Sequence, residues 1–303
     1  MNGEYIGLYN LMETIERAEG RIDIDESGFI LENDAYWWNE DGAYFRCSTQ
    51  PPSMAFTFKY PDYDKADAAT ISHISNFMEK ALTTLYAEED ASEYLDYTSF
   101  AQWVLAHDIM GTTDAAGTNM YYVMDAMDDE GRGNAPLRTG PMWDFGCIMR
   151  TATADWSHQH LTPLTFYPQL FKDEKFVREY IQAFERIKPI FINDITARLD
   201  SLRNTYGTAL RQSILLDDPS YANIEGKISW SIRYLTNRMN IVSGLIERDF
   251  ATVGIHDNDA QKPTLVKRID LMGNDFTKVG SKATSHGIYI EKWSDGTVTK
   301  TFR

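Results

Sequence analysis

Apolar residues at Ile71, Ile74, Phe77, Met78, Ala81, Leu82 and Leu85 recur every three to four positions, which predicts an amphipathic helix over 67–86. A second helix opens at Tyr97-Thr98-Ser99, with Thr98 or Ser99 as its N-cap and Phe100, Trp103, Val104, Ile109 and Met110 as apolar positions. A third stripe covers 170–187 and stops before Pro189, which starts or kinks a further helix through Arg203. The last long helix covers 224–250 and carries Trp230, Ile232, Leu235, Met239, Val242, Leu245 and Ile246. Shorter apolar runs bounded by turn residues predict strands over 5–9, 28–32, 54–60, 120–124 and 137–142. The acidic stretch 125–133 between the last two reads as a hairpin loop.

The order is β-rich first and helical after residue 170, which predicts an α+β, two-lobed fold. Composition shifts near Gly254: residues 256–263 read as a polar linker, and 265–303 as a small strand-rich unit with turns at Gly273-Asn274 and Asp295-Gly296. Two units follow, 1–253 and 254–303. The β-rich lobe starts directly on an Asn2-Gly3 turn signal, so the expectation is that its N-terminal part is missing and earlier strands precede Met1.

Composition narrows the partners. With 303 residues and 43% apolar content the chain can bury a large core. Its net charge of −16 repels phosphate backbones and anionic lipid, so no nucleic acid partner is expected, while cations are favoured. No apolar run reaches the roughly 20 residues of a membrane span, and the start of this chain carries no signal peptide. The two cysteines, Cys47 and Cys147, lie in no metal-ligand spacing.

Two short clusters carry the candidate chemistry. Asp114-Ala115-Ala116-Gly117-Thr118-Asn119 sets an Asn five positions after an Asp, and Trp143-Asp144-Phe145-Gly146 follows the predicted hairpin. Phosphoryl transfer needs a carboxylate to orient the acceptor hydroxyl and hard oxygen ligands for magnesium; protein kinases supply them with an Asp, an Asn five residues on, and the Asp of Asp-Phe-Gly. On this reading Asp114 is catalytic and Asn119 and Asp144 are metal ligands; the plain alternatives are turn residues. Lys59 sits late in a predicted strand ahead of the helix bearing Glu79, the order of the kinase lysine and glutamate pair, with a solvated lysine as the alternative. His107, Trp143 and Trp37-Trp38 read as packing aromatics, with contact to a ligand as the alternative. His158 and His160 lack further ligands, and 125–130 lacks a calcium-loop pattern.

Four ordered motifs resemble the spore coat protein H (CotH) kinase family, a group of atypical and usually exported kinases, over roughly residues 2–250. They are Asn2-Gly3-Glu4-Tyr5-Ile6-Gly7-Leu8-Tyr9 with Glu13, Ser99-Phe100 leading to Asp114 and Asn119, Gly140-Pro141-Met142-Trp143-Asp144-Phe145, and Tyr167-Pro168-Gln169-Leu170-Phe171-Lys172-Asp173 with Phe176. The resemblance implies a kinase-like fold and transfer of the ATP γ-phosphate, with magnesium (Mg2+), to Ser or Thr of exported or surface proteins. It implies that Glu13 is either the glutamate paired with the lysine or a ligand-side carboxylate. Family members often follow Trp-Asp-Phe with a second Asp, where this chain has Gly146, so the alternative implied is an impaired pseudokinase acting as a surface or binding protein. The final unit resembles the sorting segments of type IX secretion cargo, through Ile269-Asp270-Leu271-Met272-Gly273, Gly287-Ile288-Tyr289-Ile290 and Gly296-Thr297-Val298-Thr299-Lys300. That resemblance implies an extracytoplasmic protein, secreted or at the cell surface.

Overall fold

A computed structural model describes residues 3–39, 43–49, 54–112, 114–115, 117–149, 165–217, 223–251, 253, 265–270, 288–293 and 298–302. Asn2, His158, His160, the predicted linker and the two predicted tail turns lie outside the described residues. The chain divides into two compact units, Met1–Val253 and Gly254–Arg303.

The first unit is α+β. Its sheet holds β1 (Phe29–Asp34), β2 (Tyr44–Phe45), β3 (Ala55–Tyr60), β4 (Met120–Met124) and β5 (Arg138–Thr139) in the order β2-β3-β1-β4-β5, with every neighbouring pair antiparallel. Helices α1 (Ala68–Tyr86) and α2 (Tyr97–Met110) fall between β3 and β4 in the chain. The helical lobe follows as α3 (Tyr167–Leu170), α4 (Glu174–Ile187), α5 (Phe191–Asp217) and α6 (Ile224–Asp249). A sheet-based lobe followed by a helical one is the kinase-like, two-lobed arrangement.

Side-chain alternation gives the sheet two unlike faces. Phe29, Leu31, Phe56, Phe58, Met120, Tyr122 and Met124 join the main core, which α1 covers with Ile74, Phe77, Met78, Ala81, Leu82 and Leu85. The residues between them, Ile30, Tyr121 and Val123, form a smaller cluster with Ile22 and Ile24 on the other face. Register against β1 steps from Tyr60 opposite Ile30 to Phe58 opposite Leu31, so Lys59 is the extra residue of a β-bulge. A bulge leaves its extra residue out of the ladder, and alternation along β3 puts Lys59 off the core-facing row of Phe56 and Phe58.

The helix α2 is buried on nearly all sides, with Phe100, Ala101, Trp103, Val104, Leu105, His107 and Asp108 in contact with the interior. A helix without a solvent face is a central one, and α2 packs against α4, α6 and β5. Its N-cap is Asp96, two residues ahead of Thr98 and three ahead of Ser99, the predicted hydroxyls: the carboxylate accepts from Thr98 N at 3.1 Å and Ser99 N at 3.2 Å. A carboxylate takes both free amides and complements the helix dipole, which a hydroxyl does less well. Inside the bundle Tyr180 OH donates to Asp108 Oδ2 at 2.6 Å, and Arg238 donates to the Asp108 carbonyl from Nε at 3.0 Å and Nη2 at 2.6 Å. One residue thereby ties α2 to α4 and α6.

Two predicted elements differ. Residues 5–9 form no strand; Leu8 N donates to Ser213 Oγ and Tyr5 OH to Ala209 O, so this segment is tethered to α5 rather than to a sheet. The helix beyond Pro189 runs on to Asp217, past Arg203, because neither proline nor a capping glycine stops it and Gly207 inside it costs only about 1 kcal/mol. In the second unit β6 (Leu265–Asp270), β7 (Ile288–Trp293) and β8 (Val298–Phe302) form an antiparallel sheet. Arg268 and Glu291 stand directly opposite across β6 and β7 and form a buried ion pair at 2.6 Å.

Candidate active site

The polar end of the sheet's second face gathers charged groups. On β1 the run Phe-Ile-Leu-Glu-Asn-Asp puts Glu32 and Asp34 two residues apart, on the same face as Ile30. Bulged Lys59 places its Nζ 2.9 Å from Glu32 Oε2. The same carboxylate accepts from Asn119 N through Oε1 at 3.2 Å. Tyr121, opposite Glu32 on β4, has its phenol pKa pushed up by burial first and then by Glu32, Asp34 and Asp144. Those three carboxylates therefore share one neighbourhood.

The loop from Asp114 to Asn119 is held to the strand beside it. Ala35 N donates to Gly117 O at 2.6 Å, and Asn119 Nδ2 to Asp114 O at 3.3 Å. Asn119 has φ of 59° and Asp144 has φ of 50°, both in the left-handed region that Asn and Asp tolerate better than most residues. Such conformations concentrate at functional sites. The Asp144 side chain accepts from Gly146 N at 3.3 Å, and a Cβ at Gly146 would meet Asp144 Oδ1 at 3.1 Å. Buried Asp114 Oδ1 has no hydrogen-bond partner among the described residues.

Behind these loops lies His107, in the last turn of α2 and fully buried. Its Nδ1 is 2.9 Å from Thr112 Oγ1, and its ring packs on Trp103 at 3.9 Å and on Phe145 at 4.8 Å with 19° between the planes. Desolvation pushes its pKa down to about 3, so the imidazole is neutral at ordinary pH. Beside Trp143 a cleft of about 360 Å³ is lined by Glu13, Ile15, Arg21, Ile22 and Met142, among others.

Three of the six residues singled out from the sequence are thus joined by contacts, Lys59 and Asn119 through Glu32 and Asn119 to Asp114, while Asp144 acts on the same cluster through its charge on Tyr121. Glu79 lies elsewhere, on α1, where Ser48 N donates to its Oε2 at 2.8 Å. Glu13 pairs with Arg21 at 3.3 Å at the rim of the cleft. The lysine's partner is Glu32. With Asp34 and Tyr121 it escaped the sequence reading, although two acids at alternate positions after the apolar start of the strand were a signal of a polar face.

The donor set suits magnesium. Asp144 supplies a carboxylate, Asn119 retains its amide oxygen, and Asp114 Oδ1 is a buried oxygen without a partner among the described residues. Among the described residues no three His, Cys, Asp or Glu converge as a ready-made cage.

A two-lobed fold with a lysine–glutamate ion pair, an Asp-to-Asn loop and a Trp-Asp-Phe turn around one face defines the kinase-like class. The family model described as CotH kinase protein matches residues 1–242, and the chain belongs to that family. It is an atypical kinase-like protein. No curated protein matches the chain. No described helix is long and apolar enough to cross a membrane.

Proposed function

We propose that this chain transfers the γ-phosphate of ATP, with magnesium, to Ser or Thr hydroxyls of exported or cell-surface proteins. The observation that carries this reading is the Lys59–Glu32 ion pair, tied through Asn119 to the loop that bears Asp114 and sharing its neighbourhood with Asp144. ATP use is what membership of a kinase family implies. Lys59, fixed by Glu32 at the rim of the sheet, brings a positioned cation to the phosphates. Asp114 offers the unpaired Oδ1 as acceptor for the substrate hydroxyl, orienting it and taking up its proton as the oxygen attacks. Magnesium held by Asp144 and Asn119 would neutralise charge on the phosphate oxygens. The cleft beside Trp143 has aromatic and aliphatic walls for a nucleobase, with Glu13 and Arg21 as its charged groups. The resemblance of the C-terminal unit to type IX sorting segments supports an extracytoplasmic location.

A second reading, a pseudokinase that binds without transferring phosphate, is favoured by Gly146, which leaves the turn one carboxylate short of the usual family pattern. Radiolabelled ATP with magnesium separates the two, comparing wild type with Asp114→Ala and Asp144→Ala. Transfer by wild type that both variants lose supports the kinase. Nucleotide-dependent thermal stabilisation without transfer supports the pseudokinase. Neither transfer nor stabilisation sinks both nucleotide-based readings.

A further inference from the structure

We propose that His107 is a positioning residue that couples the Asp114 loop to the Asp144 turn. This rests on the phosphotransfer reading of those two aspartates. The ring has two different contacts at once. Its Nδ1 is 2.9 Å from the hydroxyl of Thr112, two residues before Asp114, and its face is stacked on Phe145, the residue after Asp144. A further link runs beside it: Met149 N, beyond the turn, donates to Met110 O at 2.7 Å, at the end of α2. The last turn of α2 therefore anchors both segments, and the imidazole is the side chain shared between them. Trp103, whose ring centroid is 3.9 Å away with 44° between the planes, backs the ring from within the core. Packing alone would be served by a phenyl ring. Placing a polar ring in a fully buried site, with its Nε2 lacking a partner among the described residues, costs free energy, and the Thr112 bond is what a phenyl could not supply.

Two variants divide the two contacts. His107→Leu removes both; His107→Phe keeps the stack and loses the bond. Fluorotryptophan-labelled protein is followed by fluorine NMR, with the Trp143 resonance assigned by Trp143→Phe, alongside calorimetric binding of manganese–ATP and initial rates. His107→Leu is expected to shift or split the Trp143 resonance and to weaken manganese–ATP binding roughly 3- to 10-fold, the scale of one aromatic pair. His107→Phe is expected to restore the resonance and bring binding back to within about twofold, while kcat stays reduced at unchanged KM because the Asp114 loop has lost its tether. An unaltered Trp143 resonance in His107→Leu, or a His107→Phe that behaves like His107→Leu, overturns the proposal. Wild type that fails to bind manganese–ATP defeats the phosphotransfer reading instead, and the Trp143 resonance still decides whether His107 holds the turn.

Discussion

His107 also makes the stability of this protein depend on pH in a way that one substitution removes. Folded, the imidazole is held neutral by burial, its pKa down from 6.5 to about 3; unfolded, it titrates near its ordinary value. Between those two values the unfolded chain takes up a proton that the folded chain refuses. The stability this group contributes is therefore complete above about pH 6.5 and is lost as pH falls toward about 3. Each unit in that window is about 1.4 kcal/mol, so going from about pH 6.5 to about pH 4.5 removes roughly 2–3 kcal/mol. Carboxylates titrate over part of the same range, but they do so in wild type and variant alike, and a comparison with His107→Phe cancels them. At neutral pH the variant is expected to be less stable by about 1 kcal/mol, the net worth of the Thr112 hydrogen bond. At about pH 4.5 it is expected to be the more stable of the two by about 1–2 kcal/mol. Urea unfolding across this range, at constant m-value, reads the difference directly. A gap between the two proteins that stays constant with pH would refute the reasoning, because it would mean that the folded imidazole accepts its proton as readily as the unfolded one.

Glu32→Gln keeps the shape of the acceptor but removes its charge, weakening its hold on both Lys59 and Asn119 N. Loss of about 1–2 kcal/mol, a melting point a few degrees lower and several-fold weaker ATP binding are expected; unchanged ATP affinity in calorimetry would show that the lysine does not depend on this pair. Tyr180→Phe removes the 2.6 Å donor to Asp108 and is expected to cost about 1.5–3 kcal/mol in urea unfolding while leaving ATP affinity intact. A loss under about 0.5 kcal/mol would show that the Asp108 carboxylate is satisfied without it.

What the sequence determined here is what depends on near neighbours. The stripe from Ile71 to Leu85 marks α1, and the runs ending at Tyr60 and Met124 mark β3 and β4, because helical and strand periodicities are visible within a dozen residues. Asp114, Asn119 and Asp144 could be singled out for the same reason, as short motifs with fixed spacing. The lysine's partner was not. Glu79 follows Lys59 on the next helix, yet its carboxylate is taken by Ser48, and Glu13 is taken by Arg21. Glu32 gains its place from a register that sets Thr57 across from it on β3, with Lys59 two residues on along the same face, and Tyr121 across from it on β4. Its contact with Asn119 closes 87 residues of chain, and no local pattern encodes which strands will meet after such a closure. Residues 5–9 show the same limit: their apolar spacing suits a strand, but no strand among the described residues pairs with them and α5 holds them instead. Residue types and their local elements were settled by the chain; the charges that share the site were settled by strand pairing, which depends on the whole core.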